Sequence, residues 1–256
     1  MNGGEPTRGT PGGRDVELLR AMANRIDQQD PGAFNNLGVL YFSKGLNAEA
    51  VDAFLRALAL DPRMRTAARN LEVAASKPGA CDARLMALNI QLADHPRDAT
   101  ARRDRARLLR LIGRHTEATQ QLDTLIAEDP DDGASLFERG LVEQRAGDLR
   151  RAQRWFERAV NALSDDPLAR LHLAEVLYQR GQNEQALETL DAVLAQDNQI
   201  ADAHLLRGFV LGDMGHHDAA VSAAQEAAAL NPSLQSLQPH LSLETGPETT
   251  PDTPAT

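Results

Sequence analysis

Cysteine and aromatic residues are scarce in this sequence of 256 residues. The single cysteine, Cys81, excludes an intramolecular disulfide framework and a cysteine-based zinc cluster. Aromatic residues make up 4%, so a folded core must consist mainly of alanine and leucine. No apolar run approaches the roughly 20 residues that a membrane-spanning helix needs, and residues 1–15 lack the apolar segment of a secretory signal. We therefore expect a cytoplasmic protein without a membrane partner.

An excess of positive charge is also missing. The formal net charge is −10, which argues against a dedicated nucleic-acid binder. Apolar residues make up 42% and charged residues 25%. This composition is typical of a chain that folds over most of its length into one or two domains.

Sequence motifs of catalytic and metal sites are absent as well. The chain has no phosphate-binding loop, dinucleotide-binding fingerprint, zinc-protease motif or serine-hydrolase motif. His216 and His217 are adjacent, and adjacent helical residues do not face each other, so a shared metal ion is not expected. Cys81 opens a predicted helix, where its pKa could be lowered, but no base lies near it in sequence and a structural thiol is the favoured interpretation. We expect no enzyme activity, no metal and no cofactor.

Glycine, in contrast, recurs with a period of 34 residues. The periodic glycines are Gly45, Gly79, Gly113, Gly147, Gly181 and Gly215. In the same phase, alanine follows five residues later in five of the six cases, and a large apolar residue such as Phe54 or Phe156 follows nine residues later in all but the last. A small residue usually precedes each glycine by seven positions. Apolar spacings of three and four on both sides of each glycine predict two helices per repeat.

The period divides the chain into six repeats without insertions. Their predicted bounds are 31–64, 65–98, 99–132, 133–166, 167–200 and 201–234. Each glycine suits the left-handed position that ends a helix. A single helix pair of this kind has one apolar face too many to be stable alone, and stacking of repeats buries that face.

The residues of the first repeat resemble the tetratricopeptide repeat (TPR) signature. The matching residues are Phe34, Leu37, Gly38, Tyr41, Ala50, Phe54, Ala57 and Pro62. The resemblance covers residues 31–234 and implies an all-α fold, a right-handed superhelical solenoid of antiparallel helix pairs. It also implies that the first helix of each repeat lines a concave groove in which partner peptides lie.

The second repeat and the two chain ends depart from this pattern. Glu72, Arg84 and Gln91 stand at positions that are usually small, so we expect either distortion in repeat 65–98 or looser packing between the repeats before and after it. Residues 14–30 have apolar residues at helical spacing and are predicted to form an N-terminal capping helix. Residues 1–13 and the acidic, Pro/Thr-rich tail 235–256 are predicted to be disordered.

The groove positions implied by the resemblance are polarised. Between Arg63 and His115 there are twelve Lys or Arg and five Asp or Glu, a net charge of +7 in an acidic chain. Apolar residues follow in the later repeats. The candidate partner-binding residues are Asn36, Arg69, Asn70, Arg103, Arg107, Arg110, Phe137, Leu141, Tyr178 and Phe209.

Two interpretations of this charge pattern remain open. In one, an acidic and hydrophobic peptide lies across the groove, with its carboxylates on Arg103, Arg107 and Arg110. In the other, these arginines are solvated or pair with Glu72, Asp98 and Asp104. Some TPR domains bind chaperone C-termini through a carboxylate clamp of Lys, Asn and Arg. This arrangement is absent in any frame that starts from the first repeat, so that mode of binding is disfavoured.

The predicted function is therefore a non-catalytic scaffold or adaptor that binds a protein or peptide. One alternative is a regulatory or co-chaperone-type subunit of a larger assembly. The other, which the acidic composition disfavours, is a nucleic-acid binder that uses the arginine-rich helix over 97–114.

Overall fold

A computed structural model describes residues 13–61, 63–164 and 166–232. These residues form thirteen α-helices, and the predicted all-α class is confirmed. Among them there is no helix that is both long enough and apolar enough to cross a membrane.

The chain divides into two compact units, Met1–Pro130 and Asp131–Thr256. The helices of unit 1 are α1 (Gly13–Ala23), α2 (Pro31–Ser43), α3 (Asn47–Leu60), α4 (Arg65–Ala75), α5 (Asp82–Asp94), α6 (Ala99–Leu111) and α7 (His115–Glu128). The helices of unit 2 are α8 (Gly133–Arg145), α9 (Leu149–Ala162), α10 (Pro167–Gln179), α11 (Asn183–Gln196), α12 (Ala201–Asp213) and α13 (His217–Leu230).

After α1 the helices alternate between two kinds, which we term first and second helices. The first helices are α2, α4, α6, α8, α10 and α12, and they begin at intervals of 34 residues. A periodic glycine lies in the turn that follows each first helix, with φ between +71° and +85°. This left-handed conformation costs glycine little. Five of these glycines lie two residues after the end of the first helix, which confirms their predicted role as helix terminators, whereas Gly79 lies four residues after the end of α4.

The small and large residues of a repeat compensate for each other in volume. A Cβ added at Gly38 would lie 2.5 Å from the Phe54 ring, and one at Gly140 would lie 2.6 Å from the Phe156 ring. These contacts show that the large residue packs onto the glycine of its own repeat, and Phe156 also packs against Val176 of the following repeat. In two further repeats the large residue is leucine and the small residue is alanine. These pairs are Ala106 with Leu122 and Ala174 with Leu190, all fully buried.

The predicted distortion of repeat 65–98 is confirmed. In the other repeats of the described chain the two helices pack closely against each other, but α4 and α5 do not. Helix α4 ends at Ala75, because Pro78 cannot continue a helix. Glu72, at the position that is glycine or alanine elsewhere, leaves 48% of its side chain exposed. Helix α5 packs against α3 and α6.

The predicted capping helix over 14–30 is shorter in the structure, since α1 ends at Ala23. Asp27 and Asp30 each accept a hydrogen bond from the backbone N–H two residues later. Such local turns compete with helical hydrogen bonds. Pro31 also disfavours a helical conformation in the residue before it.

Some predictions concern residues that the structure does not describe. The predicted disordered segments 1–13 and 235–256 lie outside the described residues, except for Gly13, which begins α1. Pro62, which belongs to the repeat signature, also lies outside them.

Candidate functional site

The predicted groove residues of unit 1 lie on α2, α4 and α6, and α4 contacts both of the other helices. We term this set the unit 1 first-helix surface. It comprises Asn35, Asn36, Val39, Phe42, Arg69, Asn70, Val73, Lys77, Arg103, Asp104, Arg107 and Arg110. Val39 and Val73 are 46% and 48% exposed, although both are aliphatic. Asn36 and Arg69 are exposed and Asn70 is half-buried.

Two side-chain contacts join α2 to α4 on this surface. The Asn70 amide Nδ2 donates a hydrogen bond of 3.0 Å to Asn35 Oδ1. The Lys77 ammonium lies 5.8 Å from the centroid of the Phe42 ring, a cation–π contact. Both contacts join residues that are 35 positions apart. They hold polar groups of neighbouring repeats in fixed positions beside the exposed valines.

The three predicted arginines of α6 differ in accessibility. Arg107 Nη1 lies 3.8 Å from Asp104 Oδ1, and Arg110 Nη1 lies 3.7 Å from Glu72 Oε1. The Arg110 side chain is only 8% exposed, whereas Arg103 is half-buried. Pairing with Asp104 is therefore confirmed for Arg107, and pairing with Glu72 is confirmed for Arg110.

Asp98, the third carboxylate considered as an arginine partner, instead caps α6. Its Oδ1 accepts a hydrogen bond of 2.9 Å from the Ala101 backbone N–H, and its Oδ2 accepts one of 2.8 Å from Gln91. The backbone hydrogen bond from Ala101 is the main cause that lowers the pKa of Asp98 below its ordinary value. The expected pairing of Asp98 with the arginines is wrong, because the helix start uses this carboxylate.

The predicted aromatic and aliphatic positions of α8 take part in the core of unit 2. Phe137 and Leu141 are half-buried and pack against the cluster that contains Phe156. The Phe137 ring lies 5.7 Å from the Phe156 ring and 5.2 Å from the His172 ring, the latter edge to face. Much of the Phe137 surface is thus used in folding and only part of it remains for a partner.

Tyr178 and Phe209, the remaining predicted positions, are also half-buried. Tyr178 donates a hydrogen bond of 2.8 Å to Asp213 Oδ2 on α12. Burial and, next, this hydrogen bond raise the pKa of Tyr178 to about 12. The phenol therefore stays protonated at neutral pH and acts as a hydrogen-bond donor.

One set of contacts was missed at the sequence level. The fourth residue of three first helices reaches back to a carbonyl in the turn before its own helix. Arg102 donates to the Pro96 carbonyl, Arg170 donates to the Ser164 carbonyl, and His204 Nε2 lies 2.9 Å from the Asn198 carbonyl. A long polar side chain at one phase of the 34-residue period is the signal that identifies this set. These residues stabilise the junctions between repeats.

Unit 1 also has a hollow of about 640 Å³ outside the predicted positions. It is lined by residues of α2, α3 and α5 and by the turn after α1. Met86 and Ile90, also on α5, are 66% and 61% exposed. The distorted second repeat thus leaves apolar side chains uncovered.

The groups considered for chemistry are placed as follows. Cys81 is buried, and this burial raises its pKa to about 11, so it is a protonated structural thiol at neutral pH. His216 and His217 are both exposed. Within the described residues no three His, Cys, Asp or Glu side chains are arranged to hold a metal ion.

Comparison with known families gives a consistent result. Four tetratricopeptide repeat models match residues 31–64, 85–133, 144–208 and 201–234, which together span about two thirds of the chain. A search of curated proteins gave no match.

Several solved structures are similar to this chain. The crystal structure of MamA is 17% identical over 62% of this chain and 92% of its own, with a TM-score of 0.55. A tetratricopeptide repeat protein from Parabacteroides merdae is 18% identical over 89% of this chain and 91% of its own, also with a TM-score of 0.55. Pseudomonas aeruginosa pilF is 23% identical over 81% of this chain and 96% of its own, with a TM-score of 0.52. At these identities the likeness concerns the fold alone.

Proposed function

Because the chain belongs to the tetratricopeptide repeat family, we propose that it is a non-catalytic adaptor that binds a protein or peptide on its unit 1 first-helix surface. The observation that carries this proposal is the pair Val39 and Val73. They occupy the same position in consecutive repeats, and each leaves almost half of its surface in water. Aliphatic side chains aligned on neighbouring helices favour contact with apolar residues of a partner.

The amides beside the valines support the binding of a peptide backbone. Asn35 and Asn70 hydrogen-bond to each other and so hold their amides in place. Each amide group has two donor hydrogens and one acceptor oxygen. The single hydrogen bond between the two residues therefore leaves donors and an acceptor for a partner. The exposed Asn36 adds a further amide on α2. A partner in an extended conformation needs such alternating donors and acceptors.

The arginines favour a partner that also carries carboxylates. Arg69 is exposed on α4, and its side chain has no hydrogen-bond or ion-pair partner among the described residues. Of the two arginines that lie near carboxylates, Arg107 is the one that a partner can reach, because 21% of its side chain is exposed against 8% for Arg110. We therefore propose a partner segment with acidic residues next to apolar ones. The half-buried Leu141 and Phe209 are proposed contacts of unit 2.

Binding of nucleic acid through 97–114 is less well supported. Arg102 Nη1 lies 3.0 Å from Glu128 Oε1, and Arg105 Nε donates a hydrogen bond of 2.8 Å to Asn89. Arg114 Nε lies 2.6 Å from Glu117 Oε1. These arginines stabilise contacts within the protein, which leaves fewer of them to bind phosphates.

Affinity capture from the native lysate, followed by mass spectrometry, tests the proposal. We expect V39D/V73D to lose partners that the wild-type chain retains, because carboxylates would replace the exposed apolar contacts. M86D/I90D is the matched control, since it places the same charges on exposed apolar positions of α5. We expect R69E/R103E to weaken capture as well.

Three outcomes would overturn the proposal, provided that circular dichroism shows every variant to be folded. Capture that is unaffected by V39D/V73D would show that the first-helix surface does not bind the partner. Capture that is lost only in M86D/I90D would assign binding to the hollow beside α5. Full capture by R69E/R103E would exclude the acidic character of the partner.

A further inference from the structure

Helix α9 differs in charge from the other second helices. It carries four arginines and one carboxylate, a net charge of +3. The five remaining second helices each have a net charge between −1 and −3. These helices occupy the same place in the repeat, yet the other five are acidic. Solvation alone therefore does not account for a basic helix at this one place.

The arginines of α9 form one exposed face. Arg150, Arg154 and Arg158 are four residues apart, so their side chains lie on the same side of the helix. Arg180, at the end of α10, lines a hollow of about 610 Å³ together with Arg150. We term these four residues the α9 arginine face.

Most of this face is not engaged within the protein. The side chains of Arg150, Arg154 and Arg180 have no hydrogen-bond or ion-pair partner among the described residues. The neighbouring Arg151 contrasts with them, since its Nε lies 3.3 Å from Asp148 Oδ2. Arg150 and Arg180 line one hollow with unpaired guanidinium groups, which are suited to bind carboxylates in a bidentate manner.

The one tryptophan of the chain adjoins this face. Trp155 is half-buried, and the guanidinium carbons of Arg139 and Arg158 lie 5.1 and 4.9 Å from the centroid of its ring. These cation–π contacts hold Arg158 beside the indole. A ligand that draws Arg158 toward itself must change the environment of the ring.

We propose that the α9 arginine face is a docking surface for an acidic segment of a partner protein. Arg150, Arg154 and Arg180 bind the carboxylates of this segment. Charge complementarity identifies this partner. Proteins that bind single-stranded nucleic acid without sequence preference offer free aromatic rings on which bases stack, but the Trp155 ring already contacts two guanidinium groups. The proposal concerns unit 2 alone and does not depend on the first-helix surface of unit 1.

Tryptophan fluorescence of the full chain tests the proposal, because Trp155 is the only tryptophan. The probe is a short polyglutamate peptide, titrated at low and at moderate ionic strength. We expect a saturable change in emission that weakens as salt screens the charges. R150E/R154E should weaken binding about tenfold or more, because each charge-assisted hydrogen bond contributes substantially.

The matched control is R25E/R97E, which changes the net charge by the same amount at two exposed arginines of unit 1. It should leave the affinity that Trp155 reports within about twofold, since neither arginine belongs to the α9 arginine face. An equal loss in both double variants would overturn the proposal, because binding would then follow net charge alone. The absence of a saturable response in the wild-type chain would also overturn it.

A single-stranded DNA oligonucleotide serves as the competing ligand. If it binds more tightly than polyglutamate and loses affinity in R150E/R154E, the face binds phosphates and the proposed partner class is wrong. Circular dichroism checks the fold of each variant. R150Q/R154Q, which removes charge without reversing it, should show the same direction of change as R150E/R154E.

Discussion

Tyr178 donates its hydroxyl hydrogen bond to Asp213 Oδ2 across 2.8 Å, and the two residues are 35 positions apart. The Asn70–Asn35 hydrogen bond and the Lys77–Phe42 contact have the same offset. The repeat is 34 residues long, so an offset of 35 means that each of these side chains contacts the residue one position further along in the following repeat. Within both units, neighbouring first helices are thus aligned with a shift of one residue.

Removal of the Tyr178 hydroxyl tests this alignment. Tyr178→Phe should lower the free energy of unfolding by about 0.5–1.5 kcal/mol, the usual net contribution of one hydrogen bond. Urea denaturation measures the change. Asp213→Asn, which keeps an acceptor oxygen, should cost less. A Tyr178→Phe variant as stable as the wild type would show that the hydrogen bond contributes nothing to folding.

The same tyrosine makes stability depend on alkaline pH. Its pKa rises from 10.0 to about 12 in the folded state, so folding favours the protonated phenol. The resulting stabilisation is fully present below pH 10 and is lost as the pH rises from 10 through 12. We expect the stability difference between the wild type and Tyr178→Phe to shrink over that interval. Denaturation at a series of pH values measures it, and a constant difference would contradict the raised pKa.

The volume compensation between Gly140 and Phe156 predicts a coupled pair of substitutions. Gly140→Ala should destabilise the protein by about 1–3 kcal/mol, because the new Cβ would lie 2.6 Å from the Phe156 ring. Phe156→Leu should also destabilise it, since a smaller side chain leaves a cavity. The double variant recreates the alanine and leucine of Ala174 and Leu190. Its loss of unfolding free energy should be smaller than the sum of the losses of the two single variants, and a double-mutant cycle measures this difference.

Glu157→Ala is the control for this cycle, because Glu157 is exposed beside Phe156. It should change stability by less than about 0.5 kcal/mol. Strict additivity of the two core substitutions would show that glycine and phenylalanine do not compensate for each other.

The helix cap formed by Asp98 predicts a contribution to stability that is lost in acid. Asp98→Ala should cost about 1 kcal/mol at neutral pH, the usual value for a lost helix cap. The pKa of Asp98 is lowered from 3.8, so its stabilisation is present above that value and is lost as the pH falls through the lower folded pKa. The cost of Asp98→Ala should therefore shrink below about pH 4. Asp98→Asn keeps a capping acceptor and should cost less at neutral pH.

The loose pairing of α4 with α5 predicts fast local opening. Backbone amides of these helices should exchange with deuterium on the order of tenfold faster than those of α2 and α3, because fewer tertiary contacts oppose their opening. Hydrogen-exchange mass spectrometry resolves the four helices. Helices α8 and α9, which pack closely, provide a second reference. Uniform protection across all of them would contradict the expectation.

The candidate site was predicted from the sequence only in part. The exposed positions of Asn36 and Arg69 follow from helical phase, as does the place of Arg103, Arg107 and Arg110 on one helix. The salt bridge that holds Arg110 and the packing of Phe137 against His172 do not. These contacts join residues of different helices, and a repeat period does not specify which side chains of two helices meet.

The sequence by itself determined the helices of the repeats, their period and most of their ends. Each of these features depends on neighbours within a few residues, such as the left-handed glycine Gly147 or the capping carboxylate of Asp98. Only the tertiary structure decided the shift of one residue between first helices, the separation of α4 from α5 and the grouping of Arg180 with Arg150. Those features arise where side chains distant in the chain compete for the same space and the same charges, and the outcome depends on all of the helices that pack together.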